Sequence, residues 1–167
     1  MSHRAEPQDE AAEWRITVSR IMNATPRQIW AAWKDAASIA RWWGPDGFSS
    51  TVNVLDLRPG GRFDVVMHGP DGTDYANLYL VDEVTPERRL RYTNQGSAEF
   101  GLAPFVSVVD IEPVTTDGPS SRSPRTRVTL TSEFASATDY RKHVEDFHAV
   151  EGAHQLLERL EQTASPS

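Results

Sequence analysis

The chain has 167 residues, an apolar share of 38%, no cysteine and a formal net charge of -7. That length suits one domain with a core of its own, and five Trp, six Phe and four Tyr supply bulky side chains to fill it without disulfides. The missing thiols exclude cysteine catalysis and Cys-based zinc sites and fit a cytoplasmic setting, while the acidic balance argues against a nucleic-acid phosphate backbone as partner.

Residues 1–12 read as a disordered leader, rich in Glu, Asp, Gln and Ala and without the apolar run of a secretory signal. No later stretch approaches the roughly 18 to 20 apolar residues of a membrane span. From Trp14 the chain alternates, with Trp14, Ile16 and Val18 on one face and Arg15, Thr17 and Ser19 on the other, which predicts a half-buried strand ending near Met22. Asn23-Ala24-Thr25-Pro26 then supplies a cap and a proline at the first helical position, and Ile29, Trp30 and Trp33 recur at one-turn spacing. Asp35 caps a second short helix with Ile39, Trp42 and Trp43 on its apolar side, stopped by Gly44-Pro45.

Successive antiparallel strands follow over residues 51–57, 62–68, 75–84 and 90–94. The first pair is joined by Arg58-Pro59-Gly60-Gly61 and the second by Gly69-Pro70-Asp71-Gly72, both turn sequences. Arg58-Pro59-Gly60-Gly61 lacks the Lys and the strand-to-helix setting of a phosphate loop. Residues 105–112 and 127–134 form a last hairpin, whose connection within 113–126 is dense in Ser, Pro and Thr and reads as mobile. Arg88, Arg89 and Arg91 read as a solvated strand edge.

From Ser136 the period becomes helical. His143, Phe147, Val150, His154 and Leu157 share one face of a continuous helix, and Gly152 marks a close approach or a kink. The domain therefore spans residues 13–163, with 164–167 as a tail. A sheet of six or seven strands needs cover for its apolar face, and the terminal helix is the element long enough to supply it. The fold class that follows is α+β, an antiparallel sheet sandwiched with the C-terminal helix.

The segments Thr25-Pro26, Ile29-Trp30, Trp33, Ile39-Ala40-Arg41-Trp42-Trp43-Gly44-Pro45, Asp56-Leu57-Arg58-Pro59-Gly60-Gly61-Arg62-Phe63, Gly69-Pro70-Asp71-Gly72 and Pro86-Glu87-Arg88-Arg89-Leu90 resemble the domain related to the activator of heat-shock protein 90 ATPase. This family lies within the START/Bet v 1-like helix-grip superfamily, also called SRPBCC. The resemblance covers roughly residues 14 to 162 and implies the helix-grip fold, a curved antiparallel sheet of about six or seven strands wrapped around a long C-terminal helix, with two short helices after the first strand and a cavity between sheet and helix. It implies three alternatives for function: a domain binding a lipid- or polyketide-like guest, a polyketide cyclase or dehydratase, or a module that stimulates a chaperone ATPase. The eukaryotic chaperone activators carry a further N-terminal domain not found in these residues, which places the chaperone role behind the others.

The expected cavity residues are Trp42, Trp43, Phe63, Val65, Met67, Tyr79, Tyr92, Val109, Phe134, His143, Phe147, Val150 and His154. Trp42-Trp43 reads either as a lid over the mouth or as packing of the short helices. His143 and His154, eleven residues and about 16 Å apart along a helix, cannot share a metal, yet either alone suits a general base, with Tyr92 as donor. Tyr75 and Tyr79, with Asp64 or Asp110, are further candidates to meet a ligand carbonyl or phenol. No cofactor or metal is implied, no site is assigned as catalytic, and a monomer or a homodimer through an open sheet edge both remain compatible.

Overall fold

The computed structural model describes residues 14–114 and 124–165. The leader 1–12 and most of the connection within 113–126 lie outside the described residues. Pro113 and Thr126, the ends of that connection, are a paired couple in the last hairpin.

The sequence folds in the order expected. Strand β1 (Arg15–Met22) leads to helices α1 (Pro26–Lys34) and α2 (Ala36–Trp42). Six strands follow: β2 (Ser49–Leu55), β3 (Arg62–His68), β4 (Asp74–Thr85), β5 (Arg89–Asn94), β6 (Phe105–Pro113) and β7 (Thr126–Glu133). All neighbours are antiparallel, in the spatial order β1-β7-β6-β5-β4-β3-β2. Since β1 and β2 hold opposite edges, the connection between them must cross the whole sheet, and the two short helices are that crossing.

Local chemistry sets both helices. Thr25 closes a capping box with Gln28: its hydroxyl accepts from the Gln28 amide at 3.0 Å, and the Gln28 side chain accepts from the Thr25 amide at 2.8 Å. Asp35 caps α2 by accepting from the Ser38 amide at 3.2 Å, and Gly44, at φ +103°, turns the chain away after Trp43. At the first hairpin a Cβ on Gly61 would lie 2.2 Å from the Asp56 carbonyl oxygen, so only glycine fits there.

The sheet curves. Its register shifts between Val52 and Val54 on β2 and between Val81 and Glu83 on β4, and such bulges bend a strand and raise its twist. Alternation sends Ile16, Val18, Phe63, Val65, Leu90 and Val109 to the concave face, where all are buried.

The C-terminal segment departs from the continuous helix that its period predicts. Helix α3 (Ala137–Arg141), capped by Ser136, runs into a π-helical turn over Lys142–Asp146, in which the Phe147 amide donates to the Lys142 carbonyl at 3.1 Å. His148 then adopts a left-handed conformation, φ 52° and ψ 48°, one that His tolerates more readily than most residues. Only after this break does the long helix α4 (Ala149–Ala164) begin, about 24 Å in length. Residues 164 and 165 belong to its end instead of a tail: Ala164 is its last residue and the Ser165 hydroxyl donates to the Asn23 carbonyl at 3.0 Å.

Candidate functional site

Helix α4 approaches the sheet along its edge, and its main partners are β1, α1 and α2. Arg159 fixes it there, its guanidinium donating to the carbonyls of Arg41, Gly44 and Pro45 at 2.7 to 2.9 Å, where the end of α2 leaves acceptors unpaired. At the sheet's edge, the Glu161 carboxylate accepts from the Arg20 side chain at 2.7 Å and from the Asn23 amide at 2.9 Å. A helix pinned at the rim of a curved sheet leaves space over its centre. That space is a cavity of about 720 Å³.

Its floor is aromatic. Trp43 meets Phe63 edge-on at 4.9 Å and Tyr79 at 5.7 Å, and Tyr79 stacks on Tyr92 at 4.9 Å and 25°. Ser107 and Ser132, directly opposite one another on β6 and β7, face it with hydroxyls 3.1 Å apart. The cover comes from the broken segment: His143 stacks on Phe134 at 4.4 Å and meets Phe105 edge-on at 4.7 Å, while Phe147, 39% exposed, stands at the mouth.

Of the thirteen expected cavity residues, Trp43, Met67, Tyr79, Tyr92, Phe134, His143 and Phe147 border this space. Trp42, Phe63, Val65 and Val109 do not; they are buried in the packed core beneath it. Val150 packs against that core and His154 is exposed to solvent. Trp42, Phe63, Val65 and Val109 fill the packed core, whereas Val150 and His154 are turned away by the backbone. A π turn and a left-handed residue rephase the chain, so His143 and His154 lie on separate segments, and α4 turns Ala153 and Leu156 to the cavity instead. The lid reading of Trp42-Trp43 is also corrected: the Trp42 indole donates to the Ala32 carbonyl at 3.2 Å in the core, and Trp43 belongs to the floor. Asp110 pairs with Arg89 at 2.7 Å and Asp64 accepts from Asn53, so neither Asp faces the space.

Missing from the sequence-derived set are Ile16, Phe48, Phe105, Ser107, Leu130 and Ser132, all of which border the cavity. Some of these were within reach. Alternation back from Val109 puts Ser107 and Phe105 on its face, and alternation back from Phe134 does the same for Ser132 and Leu130.

Burial sets the protonation of the site. The Tyr79 hydroxyl is pushed up to about 12 by desolvation, partly opposed by the Asn94 side chain, and Tyr92 is raised well above its ordinary value by desolvation and by Tyr79 beside it. His143 is lowered from its ordinary 6.5 by burial, against the opposing pull of Asp139. Its Nε2 is buried and has no hydrogen-bond partner among the described residues. All three groups are therefore neutral near pH 7. On the convex face, Asp74, His68 and Thr51 form a chain with two contacts of 2.8 Å, but none of the three borders the cavity, and they serve as a cross-strand tie.

Comparison with known proteins bears on this architecture. The family model of activator of Hsp90 ATPase homolog 1-like proteins matches residues 23–165, most of the chain. The chain belongs to that family. Solved structures similar to this family member include a protein of Mycobacterium smegmatis, 25% identical, with 94% of each chain covered and a TM-score of 0.76. A protein of Arthrobacter aurescens is 22% identical with a TM-score of 0.79, covering 92% of this chain and 87% of its own. One of Chromobacterium violaceum is 21% identical with a TM-score of 0.76, covering 93% of this chain and 99% of its own. The last two likenesses concern the fold alone. Among curated proteins none matches this chain. Among the described residues no helix is long and apolar enough to cross a membrane.

Proposed function

We propose that this family member binds a small apolar or aromatic molecule, lipid- or polyketide-like, in the space between the sheet and α4. The observation that carries the reading is a void of about 720 Å³, within the range of ligand pockets, lined by aromatic rings and a few neutral polar tips. A guest would gain about 25 cal/mol for each Å² of apolar surface removed from water, before association costs are subtracted. The role needs no catalytic residue.

Ligand-observed NMR against flavonoids, polyketides and fatty alcohols tests it. Saturable binding is expected, and Leu130→Trp, which fills the void from the β7 wall, should weaken it at least about tenfold while far-UV circular dichroism stays unchanged. Silence across the panel, or binding indifferent to the filled wall, would remove the reading. A catalytic version rests on His143, whose neutral ring borders the cavity, since His154 is outside it. Turnover unchanged in His143→Gln would dismiss that version.

A further inference from the structure

Apart from the acidic Asp146 and Glu151 at the mouth, the polar side chains that border the cavity are hydroxyls, imidazoles and the Gln155 amide, whose oxygen accepts from the Asp46 amide at 3.0 Å. Tyr79, Tyr92, Ser107, Ser132 and His143 offer hydroxyls and an imidazole, all of them uncharged near neutral pH. Among the described residues no Lys or Arg borders the space. Lys142 and Arg159, on the segments that cover it, are engaged with backbone: the Lys142 ammonium donates to the Gly101 carbonyl at 2.9 Å, and the Arg159 guanidinium to the carbonyls at the end of α2. The charged groups that do border it, Asp146 and Glu151, are acidic and exposed beside Phe147 and His148 at the mouth.

We infer that the cavity selects an uncharged aromatic guest bearing hydroxyl or carbonyl groups and rejects carboxylates of the same size, a statement that rests on the ligand-holding reading above. A carboxylate entering would pass two like charges and then give up its water without meeting a counter-charge, the case in which burial of an ion is most unfavourable. A neutral hydroxyl or carbonyl loses far less. It finds a replacement partner in the Ser107-Ser132 pair, where one hydroxyl proton is left over after the two bond each other. Flat rings suit the rest of the surface, because Tyr79 and Tyr92 lie nearly parallel, and Trp43 presents its ring at 80° to both.

Three fluorescent probes of one shape separate charge from size: 1-pyrenebutanol, methyl 1-pyrenebutyrate and 1-pyrenebutyrate, titrated into the full chain at about pH 7.5, where the third is ionised. The alcohol and the ester should saturate, and the carboxylate should bind at least about tenfold more weakly. In the double variant Asp146→Asn, Glu151→Lys, altered only at exposed mouth positions, that gap should narrow at least about threefold. A carboxylate that binds as tightly as the alcohol overturns the selectivity and leaves the ligand-holding reading standing. Failure of all three probes overturns the ligand-holding reading itself. A gap untouched in the double variant overturns its electrostatic origin.

Discussion

Two aromatic clusters, one around Trp33 and one around His143, end differently. Around Trp33 the rings close on one another: Trp33 meets Trp42 at 4.7 Å and Trp43 at 5.6 Å, and Trp33 and Trp42 are almost wholly shielded from water. Around His143 the contacts are as short, 4.4 Å to Phe134 and 4.7 Å to Phe105, yet the rings border a void and Phe147 reaches solvent. Ring chemistry does not separate the two. The backbone does: the first cluster is carried by two capped helices of regular pitch pressed on the sheet, whereas His143 and Phe147 of the second sit on a segment that changes pitch twice within seven residues, from Lys142 to His148. Regular helices set side chains against a sheet at fixed intervals and fill the space, whereas a π turn followed by a left-handed residue holds the next helix away from it.

The largest expected effect lies in the packed cluster. Trp42→Ala removes a fully buried ring together with its bond to the Ala32 carbonyl and should lower unfolding free energy by about 3–5 kcal/mol, read from a urea titration. A loss under about 1 kcal/mol would mean that the two clusters are packed alike.

A middling effect lies at the break. His148→Val places a β-branched residue in the left-handed region and should cost about 1–2 kcal/mol, while His148→Gly should not destabilise. Equal thermal midpoints for the two variants would show that the left-handed conformation does not hold α4 in place.

The smallest effect is pH-dependent. Because burial lowers His143 below its ordinary 6.5, the unfolded chain binds the proton more readily, so this contribution is complete above about pH 6.5 and declines as the pH falls below it. His143→Gln should therefore lose less thermal midpoint than the parent chain on going from neutral to mildly acidic buffer. The same acid slope in both proteins would place His143 in water, as in an open cluster without shielding.

Much of the architecture was legible in the residues themselves. The caps at Thr25 and Asp35, the Gly61 turn and the alternation along seven strands each act within a few neighbours, and local patterns report local forces. Trp42 was harder to place, since its one-turn spacing from Ile39 shows that it is apolar-facing but not whether it meets the core or the void.

Element order, the antiparallel sheet with its helical cover and the inward face of each strand follow from period and turn chemistry, which are written residue by residue. Long-range packing sets the rest: the helix breaks at His148, His154 meets solvent while His143 meets the cavity, and Ser107 stands opposite Ser132. Those outcomes depend on register between distant strands and on where α4 is pinned by Arg159 and Glu161. A helical period does not record a change of pitch, and pairings across the sheet are formed by partners that no local window contains.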